Sequence, residues 1–371
     1  MSQKESVRNA TVACQPEGQT TRTLIAPFIS AIIPCRNEEK YIESCLDSII
    51  ANDYPTDRFE VLVVDGMSDD SSRHIAAGYA ARYAFIKVLN NPKKTLAAAW
   101  NVGIKNGKGD IIIAMNAHAA IEPDFLSKCV RYLQEYSADC VGPVIVTHPQ
   151  DETLLGKAIA TAMSHPFGVG NSRFRTGTKE PCWVDTVHFS AYRKEVFERV
   201  GIYNEELVRS QDIEFHLRLK FAGGKILLVP GMTVHYYTRS NPRGFVAYGF
   251  INGYWVTYPF RFGAVVAQVR HLVPLVFVSS IIGATILSVW LPRFSFMLLL
   301  ILALYSFVAF SVAVMTALKK KDIRFVAFLP LVFLTYHVTY GIGSMVGFIR
   351  ALVSKRFWKS IRAMSAIWLT R

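Results

Sequence analysis

The stretch Ile111-Ile112-Ile113-Ala114-Met115-Asn116-Ala117-His118 decides the fold. Its first five residues are apolar and follow the turn Gly107-Lys108-Gly109-Asp110, a pattern that predicts a short buried strand. The strand then ends on an amide and an imidazole, Asn116 and His118. In an open α/β sheet, ligands bind beyond the carboxyl ends of the strands. We therefore expect these two side chains at a ligand site, followed by a helix with Pro123 in its first turn.

Composition divides the chain into two parts. It has 371 residues, 51% of them hydrophobic, and a mean hydropathy of +0.25, which is high for a soluble enzyme. Up to about residue 240 apolar runs alternate with charged ones, and beyond that the sequence is membrane-like. Residues 1–23 are polar and predict a disordered leader (1–26) rather than a secretory signal. The six cysteines show no metal spacing, which suits a reducing compartment.

The positive charge of the chain favours a membrane surface over nucleic acid. The net charge is +13, but the sequence has no zinc module, RNA-binding signature or basic-aromatic stripe. After Asp322, the last acidic residue, every charged side chain is a cation. Cations that flank apolar segments are typical of an anionic membrane surface. We therefore predict membrane lipids, and no nucleic acid, as partners.

Residues 27–120 alternate strands with helices. Buried strands are predicted at Phe28–Pro34, Phe59–Asp65 and Phe85–Leu89, with helices at 39–51, after the cap Ser68-Asp69-Asp70, and at 95–106. This order predicts a parallel, doubly wound sheet. Polar residues end three strands, yet neither a G-x-G-x-x-G after the first strand nor a Walker A sequence occurs. A bound diphosphate would therefore need a metal ion or basic side chains.

Three segments resemble the nucleotide-binding half of family 2 glycosyltransferases. They are Ile33-Pro34-Cys35-Arg36-Asn37-Glu38, Val63-Val64-Asp65-Gly66-Met67-Ser68-Asp69-Asp70 and Asn101-Val102-Gly103-Ile104. The resemblance implies a GT-A fold, which is Rossmann-like with a mostly parallel sheet. It also implies that Glu38 and Asp65 contact the uridine of the donor. The other residues assigned to donor binding are Pro34, Arg36, Asn101 and Asn116.

The fourth strand departs from the family pattern. Asn116-Ala117-His118 stands where the family has Asp-x-Asp, which holds the ribose and a divalent metal on the diphosphate. The nearest subgroup, bacterial exopolysaccharide glucosyltransferases of the succinoglycan type, commonly has Asp-Ala-His. His118 is therefore predicted to ligate Mg²⁺ or Mn²⁺ through one ring nitrogen. Asn116 removes one negative charge, so metal affinity should fall.

The segment from Asp185 to Asn241 is similar to the acceptor half of the same subgroup. Gln211-Asp212 aligns with the Glu-Asp motif of the family, which makes Asp212 the predicted catalytic base. Its place in the first turn of a predicted helix favours the carboxylate, although an ordinary acidic first turn would look the same. Asp185, Gln211 and Arg239 are predicted to contact the acceptor or the diphosphate. His235 is predicted as a second metal ligand, with a structural histidine as the alternative.

The C-terminal part predicts a membrane anchor. Residues 241–270 resemble an interfacial amphipathic segment, and 271–350 hold three uncharged stretches, Leu272–Leu291, Phe294–Leu318 and Phe325–Ile349, each long enough to span a bilayer. Lys319-Lys320-Lys321 and the basic tail (351–371) should both lie in the cytoplasm, which three full spans cannot provide. Either the third stretch enters without crossing, or the positive-inside rule fails at the tail.

Together these features predict an inverting glycosyltransferase whose α/β domain (27–240) lies on the cytoplasmic side of the inner membrane. We expect transfer of a hexose, with UDP-glucose as donor, to a lipid-linked polyprenyl saccharide for exopolysaccharide or cell-surface glycan. A processive polysaccharide synthase is the first alternative, but the sequence has no Gln-x-x-Arg-Trp and few spans. A degenerate nucleotide-binding scaffold is the second: Asn116 and Gln211 favour it, and Asp212 opposes it.

Overall fold

The structure is a computed structural model that describes residues 26–238, 240–262, 268–356 and 358. Most of the predicted leader, Arg239, and residues 357 and 359–371 of the predicted basic tail lie outside these ranges.

In the described ranges, one eight-stranded sheet organises the N-terminal part in the order β3-β2-β1-β4-β7-β5-β8-β6. The first four strands in that order are parallel, whereas β7 runs antiparallel to both β4 and β5. The sheet is therefore α/β and mostly parallel, as predicted. The strands are β1 Ile29–Cys35, β2 Phe59–Asp65, β3 Ile86–Asn90, β4 Ile111–Ala114, β5 Cys140–Pro149, β6 Cys182–Trp183, β7 Ala191–Arg193 and β8 Ile226–Thr238.

Nine helices of the described ranges connect or flank these strands. They are α1 Ile42–Ile50, α2 Ser72–Arg82, α3 Leu96–Asn106, α4 Phe125–Glu135, α5 Leu154–Ala162, α6 Pro166–Val169, α7 Arg173–Thr176, α8 Glu195–Val200 and α9 Gln211–Phe221. Pro123 does not open α4 as expected, because Ile121 still bridges to Val234 and a turn follows it. The helix begins two residues later, with Asp124 as its N-cap.

The segment that decides the fold is the buried centre of this sheet. Residues Ile111–Ala114 form β4 and are buried along their whole length. Gly109 sits in the turn before β4, where an added Cβ would lie 2.4 Å from the Ser30 backbone nitrogen. Only glycine fits such a close backbone approach. The turn therefore aligns β4 with β1, and the chain leaves β4 at the carboxyl edge of the sheet.

The loops that follow β1 and β2 are joined to each other at that edge. The Asn37 N–H donates to Ser68 Oγ at 3.1 Å, and the Asp69 N–H returns a bond to Asn37 Oδ1 at 2.9 Å. The Glu38 N–H donates to Ser72 Oγ at 2.7 Å. These reciprocal bonds fix the first two predicted donor-binding segments relative to each other.

Four helices form the C-terminal part of the described chain: α10 Pro242–Thr257, α11 Val269–Ser288, α12 Arg293–Lys320 and α13 Phe325–Leu352. Three of them, α11, α12 and α13, are long and apolar enough to cross a membrane. The fourth, α10, packs closely on α13, where Gly253 approaches the Tyr340 carbonyl and Gly343 approaches the Phe250 carbonyl. Small residues thus bring two helix backbones together, as the Gly343-x-x-x-Gly347 spacing predicts.

Candidate active site

A cavity of about 810 Å³ opens between the carboxyl edge of the sheet and the C-terminal helices. Asn116 and His118 enter it from the loop after β4, and Gln211 and Asp212 enter it from the first turn of α9. The predicted catalytic base and the predicted metal ligand therefore share one cavity, although about 94 residues of sequence separate them. Its volume is in the range of small-molecule sites.

Asp212 is paired with a histidine that the sequence did not indicate. Its Oδ2 lies 3.0 Å from His188 Nδ1, and both side chains line the cavity. Burial lowers the pKa of His188, with Arg175 lowering it further and Asp212 raising it. A neutral His188 can donate its Nδ1 proton to the carboxylate and hold one oxygen of Asp212 in place.

The backbone before Asp212 is strained. Ser210 precedes α9 at a φ of +61°, in the left-handed region, a conformation that costs on the order of 1–3 kcal/mol for a residue other than glycine. This conformation places Gln211 in the first turn of α9 with a side chain that is only 5% exposed. Its Oε1 has no hydrogen-bond partner among the described residues. The cavity therefore holds an unsatisfied acceptor beside the predicted base.

His118 is paired with Glu38, a predicted donor-binding residue. The His118 Nδ1 and Glu38 Oε1 atoms are 3.3 Å apart, and Asn116 lines the same cavity. Within the described ranges, no group of three or more His, Cys, Asp or Glu side chains could hold a metal ion. Mg²⁺ is commonly bound by one or two protein ligands together with substrate phosphates. These residues therefore fit a metal that arrives with a diphosphate, and they do not form a complete protein cage.

Asp65 ends β2 and is almost fully buried. It accepts hydrogen bonds from Ser68 Oγ at 2.6 Å and from Arg73 Nη1 at 3.1 Å. Pro34 lies half-buried in β1, and the exposed Arg36 packs its side chain over Gly66. These three residues stand at the predicted edge of the sheet, and their contact with a donor stays a prediction.

Asn101 does not reach the cavity. It is buried, its amide nitrogen donates to the Tyr203 carbonyl and to Glu205, and its amide oxygen accepts from the Tyr203 N–H at 2.9 Å. All of these bonds attach α3 to the loop before α9. The predicted donor contact of Asn101 is therefore replaced by a structural role.

His235 and Asp185 also lie away from the cavity. Because side chains alternate along a strand, Tyr236 of β8 lines the cavity while its neighbour His235 points to the opposite, exposed face. There His235 contacts His148 at 2.8 Å, so it does not join His118 as a metal ligand. Asp185 forms an ion pair with Arg270 behind the cavity wall. Arg239 is outside the described residues.

Sequence reasoning missed three residues that line the cavity: Trp100, Arg175 and His188. In sequence Arg175 is one of several nearby cations, and His188 is one polar residue before β7. No local spacing joins these residues to Asp212, because the tertiary fold alone brings them together. The pattern of strand ends could identify the sheet edge, but not the helices that close the cavity from the other side.

Comparison with known proteins identifies a family. The model of the family Glycosyl transferase family 2 matches residues 30–201. A dolichyl N-acetyl-alpha-D-glucosaminyl phosphate 3-beta-D-2,3-diacetamido-2,3-dideoxy-beta-D-glucuronosyltransferase from Methanococcus voltae is 32% identical over 59% of this chain and 70% of its own. The succinoglycan biosynthesis protein ExoA from Rhizobium meliloti is 31% identical over 56% of this chain and 63% of its own, which is less than two thirds.

A solved structure supports the fold. The mannosyltransferase PcManGT from Pyrobaculum calidifontis, in complex with GDP-Man and Mn²⁺, covers 88% of this chain and 88% of its own, with a TM-score of 0.58 and 19% identity. At that identity the likeness shows a common fold.

Proposed function

Because the chain belongs to glycosyltransferase family 2, we propose that it is a membrane-anchored inverting enzyme that transfers a hexose from a nucleotide diphosphate to a lipid-linked saccharide. The observation that carries this proposal is the shared cavity of Asp212 and His118. A carboxylate able to accept a proton stands there beside residues that can hold a diphosphate through a metal. Sugar transfer from a nucleotide diphosphate needs both.

Asp212 acts as the base in this proposal. It takes the proton from an acceptor hydroxyl, whose oxygen attacks the anomeric carbon while the bond from that carbon to the diphosphate breaks. One displacement inverts the configuration at that carbon. His188 donates a hydrogen bond to Asp212 and holds the oxygen that receives the proton. Glu38 and Asp65 are proposed to seat the uridine, and Gln211 to bond the acceptor.

His118 is the proposed protein ligand of Mg²⁺ or Mn²⁺, with Asn116 as a weaker neutral oxygen donor. When bound, such an ion neutralises charge that develops on the leaving diphosphate. The structural neighbour PcManGT was solved in complex with GDP-Man and Mn²⁺, which supports a divalent metal of this kind.

The acceptor is proposed from the C-terminal helices and from the relatives. Three helices are long and apolar enough to cross a membrane, and the cavity reaches them. The Methanococcus relative is named for a dolichyl sugar phosphate, and ExoA for succinoglycan biosynthesis. We therefore propose a polyprenyl-linked saccharide as acceptor, UDP-glucose as donor, and a cytoplasmic catalytic domain at the inner membrane.

Calorimetric titration of UDP, with and without Mn²⁺, tests the nucleotide site on the purified full chain, and GDP serves as the comparison. We expect UDP binding that strengthens with Mn²⁺ and weaker GDP binding. Transfer of labelled glucose from UDP-glucose to lipid extracted from the producing cells then tests catalysis. Binding without transfer under any donor would favour the scaffold alternative, and no binding of either nucleotide would contradict the assignment.

A further inference from the structure

Three buried polar atoms face the cavity without hydrogen-bond partners among the described residues. They are Trp100 Nε1, Arg175 Nη1 and Gln211 Oε1, and all three residues line the cavity. A buried donor or acceptor left unsatisfied costs roughly 1–3 kcal/mol. Two of the three are donors, which indicates a ligand that brings acceptor oxygens to this place.

Arg175 is the charged member of the group. Its guanidinium lies 5.4 Å from the centre of the Tyr236 ring and 5.5 Å from the Phe174 ring. Tyr248, Tyr336 and Asp212 line the same cavity, and Phe174 packs on His188 with ring centres 4.6 Å apart. Asp212 is the nearby carboxylate, but it is paired with His188. Because a guanidinium stays charged in proteins, the site favours an anion that completes its pairing.

The two other arginines that line the cavity are already engaged. Arg270 forms an ion pair with Asp185, and Arg209 donates to Asn252 Oδ1 at 3.1 Å. Arg175 is thus the cavity arginine best placed for an incoming anion. It is also on the helix side of Asp212, since Tyr248 belongs to α10 and Tyr336 to α13.

Beyond Arg175 the cavity wall becomes apolar and aromatic. Phe277 of α11 stacks on Tyr305 of α12 with ring centres 4.7 Å apart, and Phe167 packs on Tyr305 at 5.7 Å. The wall continues to Val273, which lines the cavity while 61% of it is exposed on α11. The cavity therefore extends from Asp212 and Arg175 to the outer apolar face of a candidate membrane helix.

We propose that Arg175 binds the phosphate ester of a single-chain isoprenoid lipid acceptor, whose hydrocarbon chain leaves the cavity past Phe277 and Val273 into the bilayer. This inference rests on the proposed function and identifies its acceptor class. A phosphate held at Arg175 would place the attached sugar in the part of the cavity that holds Asp212, because Phe174 packs on His188 and His188 pairs with Asp212. The nucleotide diphosphate would be bound at the other end, by His118 and its metal.

The first experiment titrates farnesyl phosphate, farnesol, inorganic phosphate and UDP with Mn²⁺ into the full chain in detergent. Arg175→Gln is compared with Arg173→Gln, an exposed arginine of the same short helix that does not line the cavity. We expect farnesyl phosphate to bind at least tenfold more tightly than farnesol or inorganic phosphate. Arg175→Gln should remove most of that advantage and leave UDP binding within twofold, and Arg173→Gln should change neither.

The second experiment blocks the apolar exit. Val273→Trp is compared with Val276→Trp, because both valines are on α11 and 61% exposed but only Val273 lines the cavity. We expect Val273→Trp to weaken farnesyl phosphate binding at least fivefold, with UDP unchanged, and Val276→Trp to have no effect.

Each outcome decides the proposal. If Arg175→Gln weakens UDP as much as farnesyl phosphate, Arg175 belongs to the donor diphosphate and the inference is wrong. If farnesyl phosphate fails to bind while UDP binds with Mn²⁺, the acceptor site is wrong and the glycosyltransferase function stands. If UDP also fails to bind, the proposed function fails with it.

Discussion

His188 and Asp212 form the contact on which the proposed chemistry depends most directly. We expect Asp212→Asn to lower kcat by about 10²–10⁴-fold, the usual contribution of a general base. His188→Gln should lower kcat about tenfold or more while the KM for the donor stays within twofold, since His188 orients Asp212. His148→Gln, a histidine outside the cavity, is the control. Equal losses in both histidine variants would contradict the pairing.

We expect position 116 to set the strength of the proposed metal site. Asn116→Asp adds a carboxylate next to His118 in the same cavity, so we expect UDP to bind about tenfold more tightly in the presence of Mn²⁺. The measurement is calorimetric titration with Mn²⁺ and, separately, with a chelator. If Asn116→Asp raised the affinity for UDP by the same factor in the presence of the chelator, position 116 would act on the nucleotide directly and not through a metal.

At the candidate site, a strand end indicated Asn116 and His118, and the resemblance to the Glu-Asp motif indicated Gln211 and Asp212. His118, Asn116, Gln211 and Asp212 reach one cavity because parallel strands and the start of α9 meet at one edge. The structure places Asn101 and His235 away from the cavity for two different reasons. Both residues lie near cavity-lining residues in sequence. The Asn101 amide, however, is hydrogen-bonded to the loop before α9, and the His235 side chain faces the opposite side of β8.

At the scale of elements, His216 joins α9 to the sheet. It is fully buried, with Nδ1 2.8 Å from Thr186 Oγ1 and Nε2 2.7 Å from Tyr192 Oη. Burial lowers the pKa of His216 to about 4, with His188 lowering it and Asp212 and Asp185 raising it. The unfolded chain therefore binds this proton more tightly than the folded one. Stability is full above pH 6.5 and falls as the pH drops towards 4.

We expect the free energy of unfolding to fall by about 3 kcal/mol between pH 6.5 and pH 4. We expect the thermal midpoint to fall steeply between pH 6.5 and 4 in the parent chain. His216→Gln should have a lower midpoint at pH 7 but a flatter slope, whereas His74→Gln, an exposed histidine of α2, should keep the parent slope. If the thermal midpoint of His216→Gln depended on pH as steeply as that of the parent chain, groups other than His216 would cause the loss of stability in acid.

Helices α10 and α13 depend on glycine contacts. A Cβ on Gly253 would lie 1.9 Å from the Tyr340 carbonyl oxygen, so Gly253→Ala must push the two helices apart. We expect Gly253→Ala to lower the free energy of unfolding by about 1–3 kcal/mol, as other overpacked contacts do. Gly283→Ala in α11 meets nothing within 4 Å and should be neutral or slightly stabilising. Thermal unfolding in detergent measures both, and equal midpoints would contradict the contact.

The ends of a strand could be predicted from sequence where the burial of that strand alone determines them. Runs of β-branched residues located β1, β2 and β4 to within one residue. The strand β8 continues to Thr238, because a second segment of β5 pairs with it after an irregularity at Pro143 and Val144. Such an extension depends on a partner distant in sequence, which no local pattern contains.

At the scale of the whole molecule, apolar length indicated three membrane segments but not how they are arranged. The structure distinguishes them by exposure. In α11 and α12 many apolar side chains are exposed, including Val273, Phe296 and Leu299. In α13 they are extensively buried against α5 and α10, as Phe333, Tyr336 and Tyr340 show. The exposed helices α11 and α12 therefore form a hairpin that projects from α13. Helix α13 itself packs against the catalytic part of the chain, which contains strands β1 to β8.

Both ends of α13 contact that catalytic part. Near its start, Phe325 shares a buried cluster with Ala158 and Ile159 of α5. Just past its end, Arg356 pairs with Glu206 at 2.8 Å. A helix of 28 residues is about 42 Å long, more than the roughly 30 Å of a bilayer core. If α13 crossed the membrane, one of its ends would be separated from the catalytic part by the bilayer.

We therefore expect α11 and α12 to cross the membrane and α13 to stay on the cytoplasmic side. This arrangement also places Lys319–Lys321 and the basic tail on one side, as the positive-inside rule requires. The full chain fused at its C-terminus to green fluorescent protein should fluoresce in a bacterial host, and a fusion to alkaline phosphatase should be inactive. Pro292→Cys should react with an impermeant maleimide from outside, above the background of the native cysteines. Active phosphatase at the C-terminus would mean that α13 spans the bilayer, and its contacts with Glu206 and α5 could not both persist in the membrane.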